Sequence, residues 1–210
     1  MADEQSEYDV STLRVTRREA RAVLDRQIEA LNDIDDKAAY TLRLNVLVLG
    51  VVLTVASILA SSEATPTAVR VVNEVVAAGA VASGFSMVGA VWAYTGTSYR
   101  TGVGRSDVRT ALGRRPAETE WLAVLLYSYT IWMKRNEQAN RQDGFALFVS
   151  HLFLLLSMGY YAGGVVYGVF VGSDVWLAVL LVLGHALVTC IVLFVPRVAT
   201  GIPLIERFRA

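Results

Sequence analysis

The sequence predicts an all-α membrane protein: a four-helix transmembrane bundle with cytoplasmic helical extensions that form a hairpin. Two observations support this fold class. The chain is 54% hydrophobic and 18% charged, and the charges are segregated from long apolar stretches. A membrane-spanning helix needs about 17–25 apolar residues, whereas four spans are too few to close a β-barrel. The predicted spans are residues 43–61, 75–97, 146–171 and 175–196.

The positions of lysine and arginine predict the orientation of these spans. Of the 19 positive side chains, 18 fall in segments on one side of the predicted membrane, and only Arg70 falls on the other. Because positive charge concentrates on the cytoplasmic side, we expect a multi-pass protein of the cell membrane with both termini in the cytoplasm. The external loops are short, which disfavours a receptor for large external ligands.

The charged segments and the spans together predict the organisation of the chain. Thr16 and Glu19 match the T-x-x-E capping box that starts a helix, and the residues before them are acidic and polar. From this helix start the pattern runs into the first span without a glycine or proline before Gly50. In a continuous helix of this kind, a displacement of the cytoplasmic end would also displace the end in the membrane. The predicted segments are a disordered acidic tail (1–15), a cytoplasmic helix (16–42), transmembrane helices 1 and 2 (43–98), a cytoplasmic loop with an amphipathic helix (99–143), transmembrane helices 3 and 4 (144–196) and a cytoplasmic tail (197–210).

The first helix carries a seam with the 3-and-4 spacing of a coiled coil, which requires a partner helix. A second apolar face follows at residues 121–133, which are too few to span the membrane. One interpretation of this face is an interfacial helix with aromatic anchors. We favour the other, in which it packs on the seam as the second arm of the cytoplasmic hairpin. The seam residues are Leu24, Ile28, Leu31, Asp35, Ala38, Leu42 and Asn45, and the second face consists of Trp121, Leu125, Tyr129 and Trp132.

Small residues in two of the spans predict close helix packing. The second span includes Gly84 and Gly89 among many alanines and serines, and the third carries two overlapping GxxxG series. Such residues let helix backbones approach each other in lipid. Whether the contacts lie within one chain or between chains stays open. The glycines of these two series are Gly159, Gly163, Gly164, Gly168 and Gly172.

Three polar side chains inside the spans are candidates for function: Asn45, His151 and His185. Ionisable groups within a membrane are candidate functional residues. A proton relay, however, would need more acidic or histidine side chains than these spans contain. We therefore favour hydrogen-bonding roles for both histidines. Metal binding at His185 would need a partner one turn away, and Cys190 stands five residues on. As the lone cysteine, Cys190 also excludes an internal disulfide.

Catalytic and nucleotide-binding motifs are absent from the sequence. No HExxH or GxSxG pattern occurs, and the segment GVGRSD matches neither GxGxxG nor a Walker loop. We expect neither enzymatic activity nor a cofactor or metal, and nucleic acid is not an expected partner. The 17 arginines against two lysines, with an acidic N-terminus, are similar in composition to proteins of salt-adapted archaea.

The stretch EALNDIDDKAAYTLRLNVLVLG resembles the start of the first membrane helix in uncharacterised small multi-pass archaeal membrane proteins. It is similar, more loosely, to membrane effectors of cyclic-nucleotide antiphage systems of the Pycsar type. In those effectors a cytoplasmic helix with an Asp-x-Lys-Ala-like element precedes a membrane helix and an early asparagine. The matching positions here are Asp35 or Asp36, Lys37, Ala38 and Asn45. The resemblance covers about 25 residues and implies no nucleotide site.

The sequence leaves three functional hypotheses, all of which place the protein in the lipid bilayer. The first is a non-enzymatic, homo-oligomeric pore or membrane-perturbing effector controlled by its cytoplasmic helices. The second is a membrane scaffold or accessory subunit that docks a cytoplasmic protein partner. The third, a small-molecule transporter, is disfavoured because the spans are poor in charge.

Overall fold

The computed structural model describes residues 9–61, 70–95 and 102–170, together with the single positions 176, 180 and 184. The part of the chain so described is all-helical, which confirms the predicted class at this level. Its four helices are α1 (Val10–Ser61), α2 (Glu74–Thr95), α3 (Arg105–Arg114) and α4 (Glu118–Phe170).

Three of these helices, α1, α2 and α4, are long and apolar enough to cross a membrane. They contain the predicted spans 43–61, 75–97 and 146–171 apart from a few terminal residues. The fourth predicted span, 175–196, lies outside the continuously described ranges. The match rests on helix length and composition, since about 20 apolar residues suffice for one crossing.

Helix α1 begins at Val10, so the predicted start at Thr16 was wrong. Asp9 provides the cap instead: one carboxylate oxygen accepts the backbone N–H of Ser11 at 3.0 Å and the other accepts its hydroxyl. These bonds lower the pKa of Asp9. Aspartate is at least as good an N-cap as threonine, and the Thr16 hydroxyl is used within the helix, where it donates to the carbonyl of Thr12. Residues 10–15 are therefore helical rather than part of a disordered tail.

The chain divides into two compact units. The first, here called the polar unit, comprises residues up to Ala38 together with Trp92–Ala146. The second, the apolar unit, comprises Ala39–Val91 and the residues from Leu147 onward. Helices α1 and α4 are continuous in sequence through both units, and each contributes its charged N-terminal half to the polar unit.

The polar unit is built on a parallel pair of helices. Arg14 of α1 forms a bidentate ion pair with Glu118 at the start of α4, with N–O distances of 2.7 and 2.8 Å. Further along both helices, Gln27 donates a side-chain hydrogen bond to the carbonyl of Met133 at 3.2 Å. Contacts that advance together along both helices require a parallel arrangement.

The two helices pair as predicted, but the hairpin is not confirmed, because they run side by side in the same direction. A hairpin joins antiparallel helices through a short connection, whereas α2 and α3 lie between α1 and α4 in the sequence. A heptad seam specifies which face of a helix is buried. It does not specify the direction of the partner.

The apolar unit packs α1, α2 and α4 through small residues and aromatic side chains. Ala82 of α2 is fully buried, and the rings of Phe85 and Phe153 lie 5.3 Å apart between centroids. Within their most apolar windows, 44% of α2 residues are buried but only 6% of α1 residues. Most apolar side chains in the membrane-length stretch of α1 therefore face outward, as lipid contact would require.

Candidate functional site

Three buried polar side chains join the helices of the apolar unit: Asn45 of α1, Ser86 of α2 and Ser150 of α4. Each is fully buried. The Asn45 amide donates to the Ser86 hydroxyl oxygen at 2.8 Å and to the Thr41 carbonyl at 3.0 Å. The hydroxyl of Ser86 donates to the Ser150 carbonyl, and that of Ser150 donates to the Ser86 carbonyl, both at 2.7 Å. Hydrogen bonds of this kind join helices where lipid removes the hydrophobic drive for association.

The sequence singled out Asn45 as an intramembrane polar candidate, and the structure places it at this three-helix contact. Its amide nitrogen is satisfied, but its side-chain oxygen Oδ1 is buried and has no hydrogen-bond partner. An unsatisfied buried acceptor typically costs about 1–3 kcal/mol. The contact therefore defines the helix register while retaining one unused acceptor in the interior.

His151 lies next to this contact. Its Nδ1 lies 3.0 Å from the carbonyl oxygen of Leu147, one turn back on the same helix. Its Nε2 lies 3.2 Å from the hydroxyl oxygen of Thr41 on α1. These contacts with neighbouring helix residues fit the hydrogen-bonding role that the sequence favoured for His151. His185 lies outside the described residues.

A second polar contact joins α2 to α4 further along the apolar unit. Asn73, directly before α2, donates its side-chain amide to the Gly164 carbonyl at 2.7 Å, while its Oδ1 caps α2 by accepting the backbone N–H groups of Val75 and Val76. Tyr161 lies one turn before Gly164 on α4, and its hydroxyl oxygen lies 3.0 Å from that of Ser83 on α2. Sequence reasoning missed Asn73, although an asparagine before an apolar helical run is a capping signal.

The predicted packing glycines fall into two groups. A Cβ at Gly164 would lie 2.5 Å from Val76 Cγ2, and one at Gly168 would lie 2.8 Å from the Arg70 carbonyl carbon. These two glycines therefore serve close packing within the chain. Gly84, Gly159 and Gly163 have open space where a Cβ would point. Gly89 is buried, and Gly172 lies outside the described residues.

Residues of the predicted cytoplasmic seam contribute to the core of the polar unit. Leu24 is fully buried and packs in one cluster with Leu125, Tyr129 and Trp132, so the structure joins the two faces that the sequence identified. Leu31 is likewise buried. Ala38 is fully buried, whereas Ile28, Asp35 and Trp121 are half-buried.

Asp35 is the seam residue with a perturbed carboxyl group. Partial burial raises its pKa above the ordinary 3.8, and the neighbouring carboxylates of Asp143 and Asp36 raise it further. A raised pKa means that Asp35 contributes its stabilisation below about pH 3.8 and loses it as the pH rises through the folded-state pKa. At neutral pH the ionised carboxylate is therefore unfavourable to the fold.

We expect Asp35→Asn to raise the Tm of the protein in detergent at pH 7, on the order of 1–2 °C, and to change it little at pH 3. Thermal unfolding measured between these two pH values checks the effect. Asp33→Asn is the matched control, because the Asp33 carboxylate accepts the Lys37 ammonium group at 2.6 Å on the surface. Its loss should leave the Tm at pH 7 equal or slightly lower. A Tm at pH 7 that falls in Asp35→Asn would contradict the raised pKa.

Among the described residues, the polar contacts join helices to one another. Among them, no group of three or more histidine, cysteine, aspartate or glutamate side chains is arranged to hold a metal ion. The hydroxyls of Ser86 and Ser150 donate to backbone carbonyls, which leaves neither directed at a catalytic base. What this arrangement does is define the relative register of three membrane-length helices.

Comparison with protein-family models, with curated proteins and with solved structures finds no match to this chain. The resemblance of the Asp35–Asn45 segment to archaeal membrane proteins and to Pycsar-type effectors therefore stays a prediction.

Proposed function

We propose that this chain is a non-enzymatic integral membrane protein that acts as a homo-oligomeric, membrane-perturbing effector controlled by its cytoplasmic helices. The observation that carries the proposal is the composition of α1 and α4. Each is one uninterrupted helix of more than 50 residues with a charged N-terminal half and a membrane-length apolar half. A displacement of the charged half along its axis would be passed directly to the apolar half of the same helix.

The polar contacts of the apolar unit support the same proposal. Hydrogen bonds between helices fix one register, since a shift of one helix breaks several of them together. In this proposal, a signal at the cytoplasmic end changes the register of α1 relative to its partners, and the Asn45 contact is the element that resists or permits the change. Coupling of this kind requires a two-state element that the signal biases.

Self-association is proposed to use the outer face of α4 that contains Gly159 and Gly163. Both glycines have open space at their Cβ positions, and neither is needed for packing within the described chain. A second chain is therefore able to approach this face closely, as small-residue faces allow.

Induced expression in cells loaded with a potential-sensitive dye tests the proposal. Wild-type protein is expected to collapse the membrane potential. The double variant Gly159→Ile and Gly163→Ile is expected to insert normally and to leave the potential intact, because branched side chains block close approach of a second chain. The matched control is Val165→Ile, an exposed position on the opposite side of the same helix, which should depolarise like the wild type.

A wild type that inserts without changing the potential would contradict the effector proposal and favour the alternative, a membrane scaffold that docks a cytoplasmic partner. One observation favours that alternative. The polar unit exposes large apolar side chains, including Tyr127 at 69% and Leu112 at 73% exposure, and such groups serve protein interfaces when they are contiguous.

A further inference from the structure

A half-open cavity of about 310 Å³ lies in the polar unit between α3 and the first turns of α4. Its size is at the lower end of the range for small-molecule sites, which are mostly apolar with a few polar groups. Two indole rings, Trp121 and Trp132, form part of its wall. The other lining residues are Val103, Asp107, Thr110, Val124, Leu125 and Ser128.

The polar groups of the cavity are mainly acceptors. The Thr110 hydroxyl donates to the Ser106 carbonyl and the Ser128 hydroxyl to the Val124 carbonyl, so both oxygens present only lone pairs. Asp107 accepts the Gly104 N–H through Oδ2 at 2.9 Å, and its other oxygen has no hydrogen bond within the described chain. A ligand that fits must therefore bring donors or positive charge to the Asp107 side.

The positive groups nearby are directed elsewhere. Arg105 and Arg109 are exposed, and helical geometry places them on the side of α3 opposite Asp107. Arg21 approaches the cavity end at Gly102, where its Nη1 would lie 2.9 Å from a Cβ. Its guanidinium group is already paired with Asp25 at 3.0 Å.

We propose that this cavity binds a small organic cation with an apolar body. The ammonium or guanidinium group of the ligand lies against Asp107 and the indole rings, and the apolar body contacts Leu125 and Val124. Tryptophan is the best aromatic partner for a cation, and a carboxylate beside it adds charge complementarity. The site is independent of the effector proposal, because a scaffold would use the same pocket.

A charge series of similar size tests the proposal: benzyltrimethylammonium, benzyl alcohol and benzoate. Each is titrated into the full-length protein in detergent, and the fluorescence of Trp121 and Trp132 is followed in a Trp92→Phe, Trp176→Phe background. The free probe concentration is measured so that partition into detergent is subtracted. We expect the cation to bind about tenfold more tightly than the alcohol and benzoate to bind most weakly.

Two variants locate the binding. Asp107→Asn keeps an acceptor for the Gly104 N–H, and it is expected to weaken the cation about fivefold without changing the alcohol. Val124→Phe fills part of the cavity and should weaken both the cation and the alcohol. Asp36→Asn, which removes an exposed carboxylate outside the cavity, is the matched control and should change neither.

Equal affinities for the three probes would show a merely apolar groove and overturn the proposal. If benzoate binds most tightly, nearby arginines determine the charge preference of the cavity, and the proposal is also overturned. If Asp107→Asn keeps the preference for the cation, Asp107 is not the group that binds its positive charge, and the proposal is overturned.

Discussion

Replacing Gly168 with alanine is expected to destabilise the apolar unit by about 1–3 kcal/mol or more. The added Cβ would lie 2.8 Å from the Arg70 carbonyl carbon and closer still to its oxygen. Because the obstructing atoms belong to the backbone, α4 must move away from the segment before α2. That movement also stretches the bond from Asn73 to the Gly164 carbonyl. Thermal unfolding of the purified protein in mild detergent measures the loss.

The control for this variant lies five residues away on the same helix. Gly163→Ala places its Cβ in open space, so the effect expected within a single chain is the gain from replacing a helical glycine, roughly 0.5–1 kcal/mol. The two substitutions are chemically identical and are expected to change the Tm in opposite directions. Equal Tm values for the two variants would show that α4 does not approach Arg70 as closely as described.

Leu24→Ala is expected to cost about 2–5 kcal/mol. Leu24 has 0% exposure and contacts the α4 side chains Leu125, Tyr129 and Trp132, which bury it between the two parallel helices. Truncation leaves a cavity against aromatic rings that cannot easily collapse into it. Denaturation of the full-length protein, followed by tryptophan fluorescence, reports this loss directly because Trp132 belongs to the same cluster.

Val23→Ala is the matched control for this position. Val23 is adjacent in sequence but 41% exposed, and its truncation should change stability by no more than about 0.5 kcal/mol. A similar loss in both variants would argue that helix α1 does not present Leu24 to α4. A crosslink between cysteines at Leu24 and Tyr129, in a Cys190→Ser background, would decide the packing independently.

The helical class and the faces of the helices were predictable from the sequence, because both follow from local spacing. The 3-and-4 periodicity of Leu24 and Leu31 identified a buried seam, and the aromatic face containing Leu125 and Tyr129 was recognised as its partner. The common direction of the two helices follows from the predicted topology, in which each runs from the cytoplasm into a span. Their register was not predictable in the same way, because the pairing of Arg14 with Glu118 depends on connections that no single helix encodes.

The roles of the packing glycines were also predictable only in part. The GxxxG pattern correctly suggests that backbones can approach, but it treats Gly163 and Gly164 alike. Only the rotation of α4 relative to α2 places Gly164 against Val76 and turns Gly163 outward. The role of Asn73 was missed for a related reason, since its bond to the Gly164 carbonyl joins residues 91 positions apart. Long-range partners of this kind lie beyond any pattern read along one segment.

The parallel register of α1 and α4 has a consequence for biosynthesis. The contact between Arg14 and Glu118 spans 104 residues of chain, so α1 is complete long before its partner exists. At about 5–20 residues per second of translation, the apolar seam of α1 waits on the order of 5–20 s for α4. During that interval Leu24 and Leu31 require shielding by the ribosome exit site, the insertion machinery or a chaperone. Slowing translation between α1 and α4 should therefore lower the yield of folded protein.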